Sequence, residues 1–70
     1  MPTLPLRGDY ITLAQAVKAA GLADTGGQAK YRVRSGEFQV NGAVETQPGR
    51  KLHAGDRFRA GDGEEWVIGQ

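Results

Sequence analysis

The hydrophobic pattern of this chain changes its period once, at Gly36. Before that residue the apolar positions follow a helical spacing, as in the series Leu13, Ala16, Val17 and Ala20. After it, apolar and polar residues alternate, which is typical of strands. The pattern therefore predicts an α+β domain, in which two short helices pack on one face of a small antiparallel sheet of about four or five strands.

Both predicted helices begin with recognisable capping residues. Thr12 is a suitable N-cap for the first helix, and Gln15, three residues later, completes a capping box. Thr25 and Gln28 repeat this arrangement before the second helix. We therefore expect each helix to begin directly after its threonine, and the second helix to stop at Gly36.

The second helix has an apolar strip with a basic residue on each flank. Ala29 and Val33, one turn apart, are its buried positions. Lys30 and Arg34 lie beside that strip and Arg32 lies on its other flank, because each residue turns the helix by ~100°. These cations could follow a phosphate backbone; the alternative is a solvated helix face.

Turn sequences divide the second half of the chain into short strands. Asn41-Gly42 is the strongest hairpin signal, because a type I′ turn requires positive φ at both positions. Pro5 confines the first strand to an edge of the sheet, since proline cannot donate to a central ladder. Strands are expected at residues 3–7, 37–40, 43–46, 57–60 and 64–68. The aromatic residues assigned to the core are Phe38, Phe58 and Trp66.

Seventy residues without a cysteine predict one domain over residues 1–70, held together by packing, turns and helix caps. No apolar run approaches the ~18 residues that cross a bilayer. The N-terminus lacks the basic start and long apolar run of a signal peptide. These features favour a cytoplasmic protein, which we expect to be a monomer.

Charges are segregated along the chain although the net charge is only +1. Residues 30–59 contain seven basic and three acidic residues, whereas the rest of the chain contains two basic and five acidic residues. Such asymmetry indicates either a basic face for a polyanion or ordinary surface charge.

The most specific pattern lies in the second helix and the hairpin that follows it. Thr25-Gly26-Gly27-Gln28-Ala29-Lys30, then Val33, then the run from Gly36 to Val-Asn-Gly at 40–42, resembles the S4 domain, an RNA-binding domain first known from protein four of the small ribosomal subunit. The family's later Gly-Asp turn is matched by Gly55-Asp56. The resemblance covers about residues 11–59 and implies RNA binding.

A narrower branch of the same family is also similar to this chain. Its members are very small bacterial proteins made of this domain alone, and the similarity lies in Gly26-Gly27, in Glu45-Thr46 and in Arg50-Lys51-Leu52. That branch usually has further basic residues where this chain has Gln47-Pro48. Larger relatives attach the domain to a catalytic domain that this sequence lacks.

The charges and the resemblance together select eight candidate RNA-binding residues. Three lie at the start of the second helix, where free N–H groups and the helix dipole attract anions; the alternative is a plain N-cap with close helix packing. Two lie in the loop at residues 47–51 and could form a second phosphate site; the alternative is a solvated loop without RNA contact. Tyr31 lies off the apolar strip and is expected to be the most exposed aromatic residue, with its ring partly packed rather than stacked on a base. The candidates are Thr25, Gly26, Gly27, Lys30, Arg32, Arg34, Arg50 and Lys51.

No catalytic residue, metal site or cofactor is expected. His53, the single histidine, has no nucleophile near it in the sequence, and the acidic residues from 62 to 65 lack the spacing of a calcium loop. The favoured interpretation is a stand-alone, non-enzymatic binder of structured RNA, a stem or stem-loop, with ribosomal RNA as the target that the resemblance implies. The alternatives are a small protein-interaction module and a DNA-binding domain that uses the same basic face.

Overall fold

The computed structural model describes residues 1–69 and contains two helices and seven short strands. Gln70, the last residue of the predicted domain, lies outside the described residues. The helices are α1 (Leu13–Ala19) and α2 (Gly26–Arg34). The strands are β1 (Thr3–Pro5), β2 (Ile11–Thr12), β3 (Phe38–Val40), β4 (Ala43–Val44), β5 (Lys51–Leu52), β6 (Arg57–Ala60) and β7 (Trp66–Gly69). The predicted α+β class is confirmed.

Helix α1 begins with the capping box that its sequence predicts. The Thr12 hydroxyl accepts from the Gln15 N–H at 3.3 Å, and the Gln15 side chain accepts from the Thr12 N–H at 3.0 Å. At the other end, the Leu22 N–H donates to the Val17 carbonyl at 3.0 Å, as in a Schellman ending. Only local sequence is needed for these contacts, so they were predictable.

Helix α2 is capped by Thr25, but without the reciprocal contact of a capping box. The Thr25 hydroxyl accepts from the Gln28 N–H at 3.0 Å. The Gln28 side chain instead accepts from the Asp24 N–H at 2.7 Å. Gly36, with φ of +81°, ends the helix as expected, and the Glu37 N–H donates back to the Arg32 carbonyl.

The five-stranded sheet is mixed rather than wholly antiparallel. Its strand order is β1-β7-β6-β3-β4, and β1 pairs in parallel with β7 while the other pairings are antiparallel. The edge position of β1 agrees with the presence of Pro5 in that strand. Sequence alternation identifies a strand but not its partner, so it gave no sign of the parallel pair.

The hairpin between β3 and β4 turns at Asn41 and Gly42, whose φ angles of 51° and 87° are both positive as predicted. Asn41 has an additional role. Its side chain accepts from the Arg57 N–H at 3.0 Å and donates to the Asp56 carboxylate at 3.2 Å. One residue therefore fixes the hairpin and joins it to the turn before β6.

A single apolar core lies between the helices and the inner face of the sheet. Phe38 and Phe58 are fully buried, as predicted, whereas Trp66 is only half-buried and stacks on Phe58 with 6.5 Å between ring centroids. Tyr31 is 70% exposed, which confirms that it is the most exposed aromatic residue of the described chain, whereas the expectation of a partly packed ring is wrong. It lies on α2 opposite the buried strip of Ala29 and Val33. Within residues 1–69, no helix is long and apolar enough to span a membrane.

Candidate RNA interface

The start of α2 presents open backbone donors. A Cβ added at Gly26 or Gly27 would meet nothing within 4 Å, so close helix packing does not explain these glycines. Within residues 1–69, their N–H groups have no hydrogen-bond partner, as is usual in a first helical turn. The glycines therefore leave room for a group to approach the positive end of the helix dipole.

The two flanks of α2 differ in what their cations do. Arg32 is turned inward: its guanidinium bonds the Leu22 carbonyl, pairs with Glu37 at 2.9 Å and lies 5.3 Å from the centroid of the Phe38 ring. Lys30 and Arg34, on the opposite flank, are exposed. Among the described residues, neither forms an ion pair. Arg32 therefore differs from the other two cations of α2, because its guanidinium has internal partners.

The loop before β5 is held against the start of α1. The carbonyls of Pro48 and Arg50 accept from the Ala14 and Leu13 N–H groups at 3.0 and 2.8 Å. They satisfy two donors that a helix N-terminus leaves free. The Arg50 guanidinium pairs with Glu45 at 2.8 Å. The loop is therefore an ordered part of the domain surface.

A cleft between the helices and this loop contains two of the candidates, Gly26 and Lys30, in its lining. We call it the interhelical cleft; its volume is about 340 Å³. It is lined by Thr12, Ala14, Gln15, Lys18, Gly26, Lys30, Pro48 and Gly49. The start of α2, one flank of α2 and the loop thus meet at one place, with two lysines at its border.

A second cleft adjoins the first. We call it the N-terminal cleft; its volume is about 480 Å³. Thr12 and Gln15 line both clefts. The other lining residues are Pro5, Arg7, Tyr10 and Ile11. Lys51 belongs to this side of the molecule, because its ammonium lies 4.9 Å from the centroid of the Tyr10 ring.

The basic residues of the domain differ in whether they form ion pairs. Arg32, Arg50 and Arg57 pair with glutamates in the described part of the chain. Arg59 contacts Gln39, its cross-strand partner in the sheet. The cations that form no ion pair within residues 1–69 and contact or line a cleft are Arg7, Lys18, Lys30 and Lys51. The clefts thus carry positive charge without ion-pair partners in the described chain, and two of these cations, Arg7 and Lys18, lie outside the basic segment 30–59.

Comparison with known proteins identifies the family of this chain. The family model of the S4 domain matches residues 4–68. The chain belongs to the S4 domain family. The resemblance seen in the second helix and the hairpin is thereby confirmed, and it extends to the first and last strands.

Two relatives of this S4 domain have informative names. It is 40% identical over 48 residues to a Bacillus subtilis protein named "Probable ribosome maturation protein RlbA", and the match covers 69% of this chain and 68% of that protein. It is 37% identical over 46 residues to an Escherichia coli protein named "Putative RNA-binding protein YbcJ", with 66% of each chain covered. The matches thus span about two thirds of each relative.

Sequence reasoning missed three residues at the clefts of this S4 domain: Arg7, Tyr10 and Lys18. Lys18 is a full turn from Ala14 on α1, so its helical face was readable. That this face meets Gly26 and Pro48 depends on tertiary packing. Arg7 and Tyr10 lie in a stretch between β1 and β2 that has no motif.

The turn before β6 contains Asp56, a carboxylate whose pKa is lowered by its hydrogen bonds. The Asp56 carboxylate accepts from the His53 N–H at 2.7 Å, and this bond lowers the pKa of Asp56; the Asn41 amide and the charges of His53 and Arg50 act in the same direction, against partial burial. The Asp56 carboxylate therefore stabilises the turn before β6 in this S4 domain. Among residues 1–69, no cluster of potential metal ligands occurs.

Proposed function

We propose that this S4 domain is a stand-alone cytoplasmic module that binds structured RNA, a stem or stem-loop of ribosomal RNA, and performs no chemical step on it. The observation that carries the proposal is the interhelical cleft, where the open start of α2, Lys18, Lys30 and the loop at Pro48-Gly49 meet. The names of the two relatives support RNA as the partner, and one of them supports the ribosome.

The chemistry of the cleft suits a phosphate backbone. The free N–H groups of Gly26 and Gly27 offer two donors, and the lysine ammoniums neutralise charge and release condensed counterions. Arg34 extends the positive flank of α2 by one turn beyond Lys30. Shape and phosphate contacts dominate the recognition of an RNA helix, whose deep major groove side chains cannot read.

Seven of the eight candidates enter the proposed contact surface. Thr25 shapes the start of α2, and Arg50 contributes through the loop it anchors as well as through its charge. We assign Arg32 to the structural support of α2, because its guanidinium has three internal contacts. The other contact residues are Gly26, Gly27, Lys30, Arg34 and Lys51.

Salt dependence of RNA binding tests the proposal. With about four to six phosphates engaged, a plot of log affinity against log salt concentration should have a slope of roughly −3 to −5 for a ribosomal stem-loop. Binding is measured by titration with fluorescently labelled RNA. Absence of binding to any stem-loop at low salt would reject the proposal.

A DNA duplex of equal length serves as the competitor in the same titration. Because only RNA carries the 2′-hydroxyl and the A-form groove, RNA should compete more strongly. Equal competition would indicate a protein that binds RNA and DNA duplexes alike. Binding to neither nucleic acid, together with purification in complex with another protein, would indicate a protein-interaction module.

A further inference from the structure

The N-terminal cleft has features that phosphate binding does not require. Tyr10 lines it with 45% of its surface exposed, although large aromatic rings are usually buried. Lys51 places its ammonium 4.9 Å from the centroid of this ring, and the His53 ring is tilted against it at 6.3 Å. The tyrosine is therefore held by its neighbours while it remains open to solvent.

The cleft also offers cations and a hydrogen-bond donor. Arg7 lines it and, within residues 1–69, forms no ion pair. The Gln15 side chain uses its oxygen to accept from the Thr12 N–H at 3.0 Å, so its amide N–H groups remain as donors. Because Gln15 lines both clefts, these donors lie where the two clefts join.

We propose that the N-terminal cleft binds an unpaired nucleotide next to the RNA helix, with its base stacked on Tyr10. This inference rests on the proposed function, since the phosphate backbone of the RNA helix lies along the interhelical cleft. Arg7 and Lys51 hold the phosphates on either side of the base, and Gln15 donates to an acceptor on its edge. The volume of about 480 Å³ is within the range of sites that enclose a small ligand.

The chemistry favours a nucleotide over other ligands. An exposed aromatic ring surrounded by cations is the common platform of single-stranded nucleic-acid binding, because every base has a π-face and every nucleotide a phosphate. A helical stem alone cannot use the ring, since its bases are already stacked in the duplex. The site therefore selects a stem that continues into single strand.

Two RNAs separate this inference from the proposed function. One is a blunt-ended hairpin, and the other is the same hairpin with a single-stranded extension that contains a fluorescent purine analogue. The wild-type protein should bind the extended RNA on the order of tenfold more tightly, and the analogue's fluorescence should be quenched by stacking. Tyr10→Ala should remove both effects while binding of the blunt hairpin stays unchanged; Tyr10→Phe should retain them.

Tyr31→Ala is the matched control, because Tyr31 is also exposed but lies outside both clefts. It should retain the preference for the extended RNA, and thermal melts should show all variants folded. If wild-type protein binds both hairpins equally, or if Tyr10→Ala keeps the preference, the inference is wrong and the proposed function stands. If neither hairpin binds at low salt, both are wrong.

Discussion

At the scale of single residues, position 42 requires glycine because of its backbone conformation and not because of neighbouring atoms. Its φ is +87°, and a Cβ there would meet nothing within 4 Å. The sequence was sufficient to predict this, because a two-residue hairpin between alternating strands requires such angles. The second role of Asn41, as a bridge to Asp56 and Arg57, joins segments distant in sequence and was not predictable.

Gly42→Val should destabilise the domain by about 1–3 kcal/mol, because a β-branched residue is strained at positive φ. Gly49→Val is the control for an open glycine without positive φ and should change the thermal midpoint little. Melting curves followed by circular dichroism measure both. An unchanged midpoint for Gly42→Val together with lost RNA binding would place Gly42 in the interface instead.

Asp56 should make stability depend on pH in the acid range. Its pKa in the folded protein lies below its ordinary value, since the carboxylate accepts from the His53 N–H. The stabilisation is therefore present above the unfolded pKa of about 3.9 and is lost as the pH falls through the folded pKa.

Asp56→Asn should lower the free energy of unfolding at neutral pH and reduce its decline below about pH 4. Urea unfolding at neutral pH and at about pH 3 measures the difference. A variant whose stability declines with acid as steeply as that of wild-type protein would show that other carboxylates dominate.

At the scale of elements, the helices were predictable, and so was the two-residue strand β4 because it follows the Asn41-Gly42 turn, but β2 and β5 were not. Caps, apolar strips and terminal glycines lie close together in sequence, so α1 and α2 follow from local rules. Strands β2 and β5 have two residues each, too few for any alternation to be recognised. Their pairing nevertheless helps to place the loop at Pro48-Gly49 and Lys51 beside α1.

The exposed flank of α2 should contribute binding rather than stability. Lys30→Ala combined with Arg34→Ala should weaken RNA affinity and reduce the magnitude of the salt slope by about two, because two phosphate contacts are removed. Arg32→Ala should instead affect folding. It removes internal contacts of a charged group, so it should lower the free energy of unfolding by roughly 1.5–3 kcal/mol. Titrations and unfolding curves on the same preparations distinguish the two effects.

Charge removal at the acidic end of the chain is the control for the α2 pair. Glu64→Gln with Glu65→Gln should leave RNA affinity unchanged or raise it slightly by removing repulsion. Glu65 has only a loose contact with Arg57, at 3.9 Å, so folding should be little affected. If the acidic pair lost binding while the helix pair bound like wild-type protein, the interface would lie on the other face.

At the scale of the whole molecule, stability depends on the strand that comes last in the sequence. Strand β7 lies between β1 and β6, and its Ile68 is 1% exposed in the core. Ile68→Ala should lower the free energy of unfolding by about 2–5 kcal/mol. Val44→Ala, at the 62% exposed position of the edge strand β4, should have a small effect in the same urea titration. Equal effects would mean that the sheet interior is not the main source of stability.

The parallel pair of β1 and β7 also sets the order of events during protein synthesis. Within residues 1–69, β1 has β7 as its only strand partner, so Thr3 cannot pair until Val67, 64 residues later, has been made. This closure of a long loop is expected to be a late step in folding, whereas the helices and the β3–β4 hairpin form from neighbouring residues. The segment with Arg7 and Tyr10 directly follows β1. A nascent chain should therefore acquire its helical surface first and its tyrosine platform only after β7 has been made.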